Sequence, residues 1–192
     1  NKTFLVFPPS HLLSKSLKFL VPIFAQHLDT SKIGSTTGFL IPELVKKSGV
    51  KGALINHSEH RLSERQIRDL IKRLKKIKLQ SVVCVKTVKE AEKFAKFNPN
   101  FIAIEPPELI GSGKAISRER PELIKNATKA VNKAKNSTKL LCGAGIVSGE
   151  DVSRAMELGA KGILVASGIV KAKNWDKIIS EFATVILKAP KN

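Results

Sequence analysis

The chain has 192 residues, with 34 Lys and Arg against 16 Asp and Glu and a formal net charge of +18. That length is enough to bury a full core in one domain, and the charge points to an anionic substrate or partner, or to a surface on which lysine is the default residue. No run of about 18 apolar residues occurs, so no membrane span or membrane partner is expected. The apolar stretch Phe4–Phe7 is too short for a signal peptide core and no small-residue cleavage site follows it. Lysines are spread through helical segments, tyrosine is absent, and aromatic and basic residues do not interleave, which argues against a specific nucleic-acid partner. Cys84 and Cys142 lie inside apolar runs with neither CxxC spacing nor a nearby His cluster. They read as buried thiols of a reducing cytoplasm and not as metal ligands.

In chain order, short apolar runs recur at Phe4–Phe7, Ile23–Gln26, Ala53–Asn56, Ser81–Val85, Phe101–Glu105, Leu140–Gly143 and Ile163–Ala166. Most are continuously apolar, without the alternation of a one-sided sheet, so they are expected to be strands covered on both faces. Between them lie capped or amphipathic helical segments: Ser10–Phe19, Pro42–Ser48, Ser63–Lys78, Val88–Lys96, Pro121–Lys135, Gly149–Leu158 and Trp175–Lys188. Ser63 and Gln66 have capping-box spacing, and Gly49 and Gly159 stand where C-terminal glycines belong. Seven strand-helix alternations predict an α/β fold with a parallel sheet, and the period of about 27 residues is that of a (β/α)8-type barrel. No linker or composition break appears, so residues 1–192 are expected to form a single barrel domain.

In such a barrel the chemistry sits where the strands end. Phe101–Ile104 delivers Glu105 to a strand end. Pro106 and Pro107 then force a loop that closes at Gly111-Ser112-Gly113, a carboxylate on a rigid post beside a segment able to hinge. The third run ends in Asn56-His57-Ser58-Glu59, so His57 and Glu105 are expected on the same rim. Gly143-Ala144-Gly145 and Ala166-Ser167-Gly168 follow the last two runs, and small residues there let backbone N–H groups approach a phosphate closely. A long loop through Thr36-Thr37-Gly38 exceeds what a simple connection needs.

These stretches resemble a known family. Phe-Ala-Gln-His at 24–27, Thr-Gly at 37–38, Asn-His-Ser-Glu at 56–59, Ile-Glu-Pro-Pro-Glu-Leu-Ile-Gly-Ser-Gly at 104–113, Leu-Cys-Gly-Ala-Gly-Ile at 141–146 and Gly-Ile-Leu-Val-Ala-Ser-Gly at 162–168 are similar to triosephosphate isomerases of the shorter archaeal type. The resemblance runs from about Phe4 to Lys188. It implies an isomerase of glycolysis and gluconeogenesis that interconverts dihydroxyacetone phosphate and D-glyceraldehyde 3-phosphate, with no metal and no organic cofactor. It further implies Glu105 as the base, His57 as the electrophile, Glu59 as a supporting carboxylate, and Gly111, Gly145, Ala166 and Ser167 around the phosphate. A cytoplasmic homo-oligomer, tetramer or dimer, is implied through the loop at Gly34–Gly38.

One departure stands out. The family's first strand carries an Asn-x-Lys motif whose lysine supplies positive charge to the substrate. Here Asn1-Lys2-Thr3 runs directly into Phe4–Phe7, which with Pro8 and Pro9 resembles the family's second strand. The chain also starts without Met, so the expectation is of an N-terminally incomplete barrel, with Lys2 away from the rim and two strand edges left unpaired. It is then either part of an active isomerase or a catalytically impaired phosphate-binding or assembly homologue without the lysine.

Overall fold

The computed structural model describes residues 4–189. Residues 1–3 and 190–192, and with them the expectation placed on Lys2, lie outside the described residues. Two compact units emerge, residues 4–84 with 97–100 and residues 85–96 with 101–189.

In the first unit a 3-10 turn (Ser10–Leu12) leads into α1 (Leu13–Ser16), β1 (Phe24–Ala25), α2 (Pro42–Lys47), β2 (Gly52–Ile55), α3 (Glu64–Lys76) and β3 (Gln80–Val85), whose last residue belongs to the second unit. The strands are parallel, Phe24 facing Gly52 and Gly52 facing Gln80. All four residues of β2 are buried, as a strand covered on both faces must be. Helix α3 turns Ile67, Leu70, Ile71 and Leu74 inward at helical spacing and starts in the expected capping box, Ser63 with Gln66. Its Arg73 reaches Glu43 of α2 with Nε at 2.8 Å and the carbonyls of Thr30 and Ser31 at 3.0 and 2.8 Å. One guanidinium therefore ties two helices and the long loop together.

The first expected strand contributes a single parallel bridge, Val6 to Ile23. Pro8 and Pro9 offer no N–H to extend a ladder, and Phe4 and Val6 remain exposed. The helix expected over Ser10–Phe19 likewise ends at Ser16.

The second unit holds α4 (Val88–Ala95), β4 (Phe101–Ile104), a 3-10 turn (Pro107–Leu109), α5 (Ile116–Glu119), α6 (Pro121–Lys133), β5 (Lys139–Gly143), α7 (Gly149–Glu157), β6 (Ile163–Leu164), α8 (Ser167–Val170) and α9 (Trp175–Lys188). Strands β4, β5 and β6 run parallel, Ile104 opposite Cys142 and Gly143 opposite Leu164. Helices α4 and α6 are joined by the Lys133–Glu92 ion pair at 3.1 Å and by Asn136 Nδ2 donating to the Ala95 carbonyl at 2.8 Å. Strand β6 is only half-buried, and Phe182 is the buried residue of α9. No described helix is long and apolar enough to cross a membrane.

The start of α7 concentrates charge in this unit. Asp151, 1% exposed, accepts from Arg118 Nε at 2.6 Å and, through its other oxygen, from the Ser148 N–H and hydroxyl at 3.0 and 2.9 Å and the Val147 N–H at 3.2 Å. Burial alone would push this carboxyl up, but the Ser148 hydroxyl, the Val147 amide and the Arg118 guanidinium outweigh it and hold it below the usual carboxylate value. A depressed folded value contributes stability that is present above the unfolded pKa of about 3.9 and is lost as pH falls through the folded one. Asp151→Asn is expected to lower stability near neutral pH by about 2 kcal/mol. In denaturant unfolding the gap between parent and variant should hold down to about pH 4 and narrow below it.

Candidate active site

In each unit a candidate side chain stands just beyond a strand end. In the first, Asn56 follows β2 with φ 64°, a left-handed conformation that Asn tolerates better than most residues, and it is 4% exposed. Its Nδ2 donates to the Cys84 carbonyl at 2.9 Å, its Oδ1 accepts from the Leu62 N–H at 2.9 Å, and its own carbonyl accepts from Arg61 Nη1 at 3.0 Å. The next residue is His57, half-buried with a side chain 23% exposed. Two groups meet its Nδ1, the Glu59 N–H at 3.4 Å and the Glu59 carboxylate at 3.3 Å. They ask opposite things of that nitrogen, since an N–H needs an acceptor and a carboxylate needs a donor. The carboxylate is 87% exposed and solvated, while the N–H is fixed by the turn, so the backbone contact governs.

The long loop of this unit is closed by a reciprocal pair: Leu40 N–H donates to Asp29 Oδ2 at 2.7 Å and Asp29 N–H to the Leu40 carbonyl at 2.9 Å. Beside it the rings of His27 and His60 stack at 3.6 Å and 8°. Burial, and then the neighbouring His60, hold His27 below its ordinary value against the opposing pull of Asp29.

In the second unit Glu105 follows β4, 7% exposed, with its N–H donating to the Val85 carbonyl at 2.8 Å. Its carboxylate lies flat on the end of β5: a methyl group on Gly143 would stand 2.5 Å from Glu105 Cγ and 2.6 Å from Oε1. Only glycine leaves that room. The loop after Glu105 runs through Pro106 and the 3-10 turn to Gly111 and Gly113, with φ of 70° and 74° and open space where side chains would be. Ser112 Oγ donates to the Leu109 carbonyl at 2.8 Å and accepts from the Lys114 N–H at 3.1 Å. Glu108 pairs with Arg120 at 2.8 Å, both about half exposed, a tie worth no more than about 1 kcal/mol.

Three loops of this unit touch. Gly145, with φ 72°, packs its α-carbon against the Lys114 carbonyl, and Ile116 N–H reaches the Ala144 carbonyl at 3.3 Å. Gly168 packs in the same way against the Ile146 carbonyl. Ala166 caps α8 and Ser167 begins it, so first-turn N–H groups there have no intrahelical acceptor. The structure therefore brings Gly145 against Lys114 at the far end of the loop that carries Gly111, and Gly168, next to Ala166 and Ser167, against Ile146, with Glu105 seated on the glycine just before Ala144. His57 and Glu59 share the turn of the first unit. Among the described residues no group of three or more His, Cys, Asp or Glu could hold a metal ion.

The triosephosphate isomerase family model matches residues 1–182. The chain belongs to the triosephosphate isomerase family. Similar proteins include the triosephosphate isomerase of Cenarchaeum symbiosum (strain A), 54% identical over 176 residues, which are 92% of this chain and 79% of that protein. Those of Methanocaldococcus jannaschii and Saccharolobus solfataricus are each 43% identical, over 86% and 95% of this chain and 76% and 80% of their own lengths. Membership makes the fold the family's (β/α) barrel type, to which the parallel strands and intervening helices of both units conform.

Two residues escape sequence reasoning about the site. Asn56 stands inside a recognised motif, and Gly143 inside another, but the bonds of the first and the contact of the second depend on neighbouring strands. The one local signal is an Asn directly after an apolar run, a residue type that accepts a left-handed backbone. Gly143→Ala is expected to push Glu105 off the end of β5 and to cost about 1–3 kcal/mol of stability. Denaturant unfolding with a crystal structure of the variant checks both, and an unmoved Glu105 would contradict the packing.

Proposed function

We propose that this chain acts as a triosephosphate isomerase, interconverting dihydroxyacetone phosphate and D-glyceraldehyde 3-phosphate by proton transfer through an enediolate. The observation that carries the reading is Glu105, a nearly buried carboxylate at a strand end, in a chain the family model matches from residue 1 to residue 182. Abstracting a proton beside a carbonyl requires a base, a donor toward the oxygen that gains charge, and exclusion of water so that phosphate is not eliminated.

In this reading the Glu105 carboxylate takes a proton from the carbon next to the carbonyl and returns it to the neighbouring carbon. His57 donates from Nε2 toward the carbonyl oxygen as charge develops there. Glu59 supports His57 through the turn they share. Backbone amides at Gly111, Gly145, Ala166 and Ser167 receive the phosphate, and the segment 106–113, weakly tied at its middle and with glycines at its end, folds over it. The net charge of +18 steers the anionic substrate inward. We place the protein in the cytoplasm as a homo-oligomer of two or four copies, assembled through the Gly34–Gly38 loop, with no specific nucleic-acid or membrane partner.

A coupled assay in both directions tests this. The parent chain should turn over both triose phosphates, and Glu105→Gln should lose about 10²–10⁴-fold in kcat while remaining folded. A folded parent without turnover, or a variant with parental kcat, would refute the assignment.

A further inference from the structure

We propose that Asn56 is the positioning residue for His57: it holds the turn that aims a backbone N–H at His57 Nδ1 and so keeps the imidazole proton on Nε2. The inference deepens the reading of His57 as the carbonyl-polarising group and rests on it.

Asn56 occupies the corner between β2 and the turn, and it is bonded in three directions. Its Nδ2 grips the Cys84 carbonyl of the neighbouring strand at 2.9 Å, its Oδ1 holds the Leu62 N–H at 2.9 Å, and its carbonyl takes Arg61 Nη1 at 3.0 Å. The first bond anchors the start of the turn to β3. The other two draw its far end, residues 61 and 62, back onto its start. Between those clamps, His60 N–H donates to the His57 carbonyl at 2.9 Å and Glu59 N–H stands 3.4 Å from Nδ1.

The geometry inside the turn selects a tautomer. An imidazole nitrogen facing an N–H must be the acceptor, so in the neutral ring the proton goes to the other nitrogen. The Glu59 carboxylate, 3.3 Å from the same nitrogen, would favour the reverse, but it is 87% exposed and free to leave for water. The clamps therefore decide between the two. A glycine at position 56 would accept φ 64° without strain yet supply neither side-chain bond, which separates backbone shape from positioning.

The test compares the parent chain with Asn56→Gly, and with Arg61→Gln, which removes only the outer clamp from a solvent-facing residue. Three quantities are read: kcat and KM in the coupled assay, inhibition by inorganic phosphate, and the His57 tautomer by NMR of protein labelled with 15N-histidine. Asn56→Gly is expected to lose about tenfold or more in kcat, with KM and phosphate inhibition within about twofold of the parent, because the donor and not the phosphate site is disturbed. Its His57 should show mixed tautomers where the parent shows the Nε2–H form, and Arg61→Gln should show the same split with a smaller loss. Unchanged kcat and tautomer in Asn56→Gly would overturn the inference, as would a loss that follows the unfolded fraction alone. Should the parent lack isomerase activity, the functional reading falls, and the NMR comparison still decides the role of Asn56.

Discussion

The second unit depends on one close approach, the carboxylate of Glu105 resting on the α-carbon of Gly143. The Glu105 side chain, 7% exposed, fits there because the strand end opposite offers no side chain at all. Beyond that glycine, Ala144 and Gly145 take left-handed conformations, which bring their backbone against Lys114 on the loop that leaves Glu105 and against Ile116 at the start of α5. The register of β4 with β5, Ile104 opposite Cys142, thus sets where the carboxylate lies and how its loop returns.

The first unit solves a different problem with different means. There the candidate is a ring whose Nδ1 faces a backbone N–H, and the device is a short turn stapled at both ends by amide and guanidinium bonds. Each unit places its candidate side chain one or two residues beyond a buried strand, where backbone position is set by neighbouring strands.

Much of this can be read in the residues. Continuous apolar runs correspond to β1–β6, and the capping spacing at Ser63 and Gln66 and the α3 stripe from Ile67 to Leu74 are local signals that tertiary contacts did not overrule. The run Phe4–Phe7 misleads because apolar composition cannot reveal that Pro8 and Pro9 stop the ladder after one bridge. Helices α5 and α8 have four residues each, too few for any periodicity to register. At the site, the motifs locate Glu105, His57 and the small-residue loops, because strand ends and glycines are visible in the chain itself. The seat on Gly143 and the clamp from Asn56 to Cys84 are invisible there, since each joins residues far apart in the chain across a sheet.

Cys142 immediately precedes Gly143, the glycine over which the Glu105 carboxylate packs. Its thiol is fully buried, and burial together with the charges of Glu105 and Asp151 pushes it far above the ordinary cysteine value. Since the thiolate is the form that alkylating agents and peroxides attack, this sulfur is kept out of their reach in two ways, by access and by protonation. A sulfur that would elsewhere be a point of oxidative damage is thereby made chemically silent beside the group on which turnover is proposed to depend.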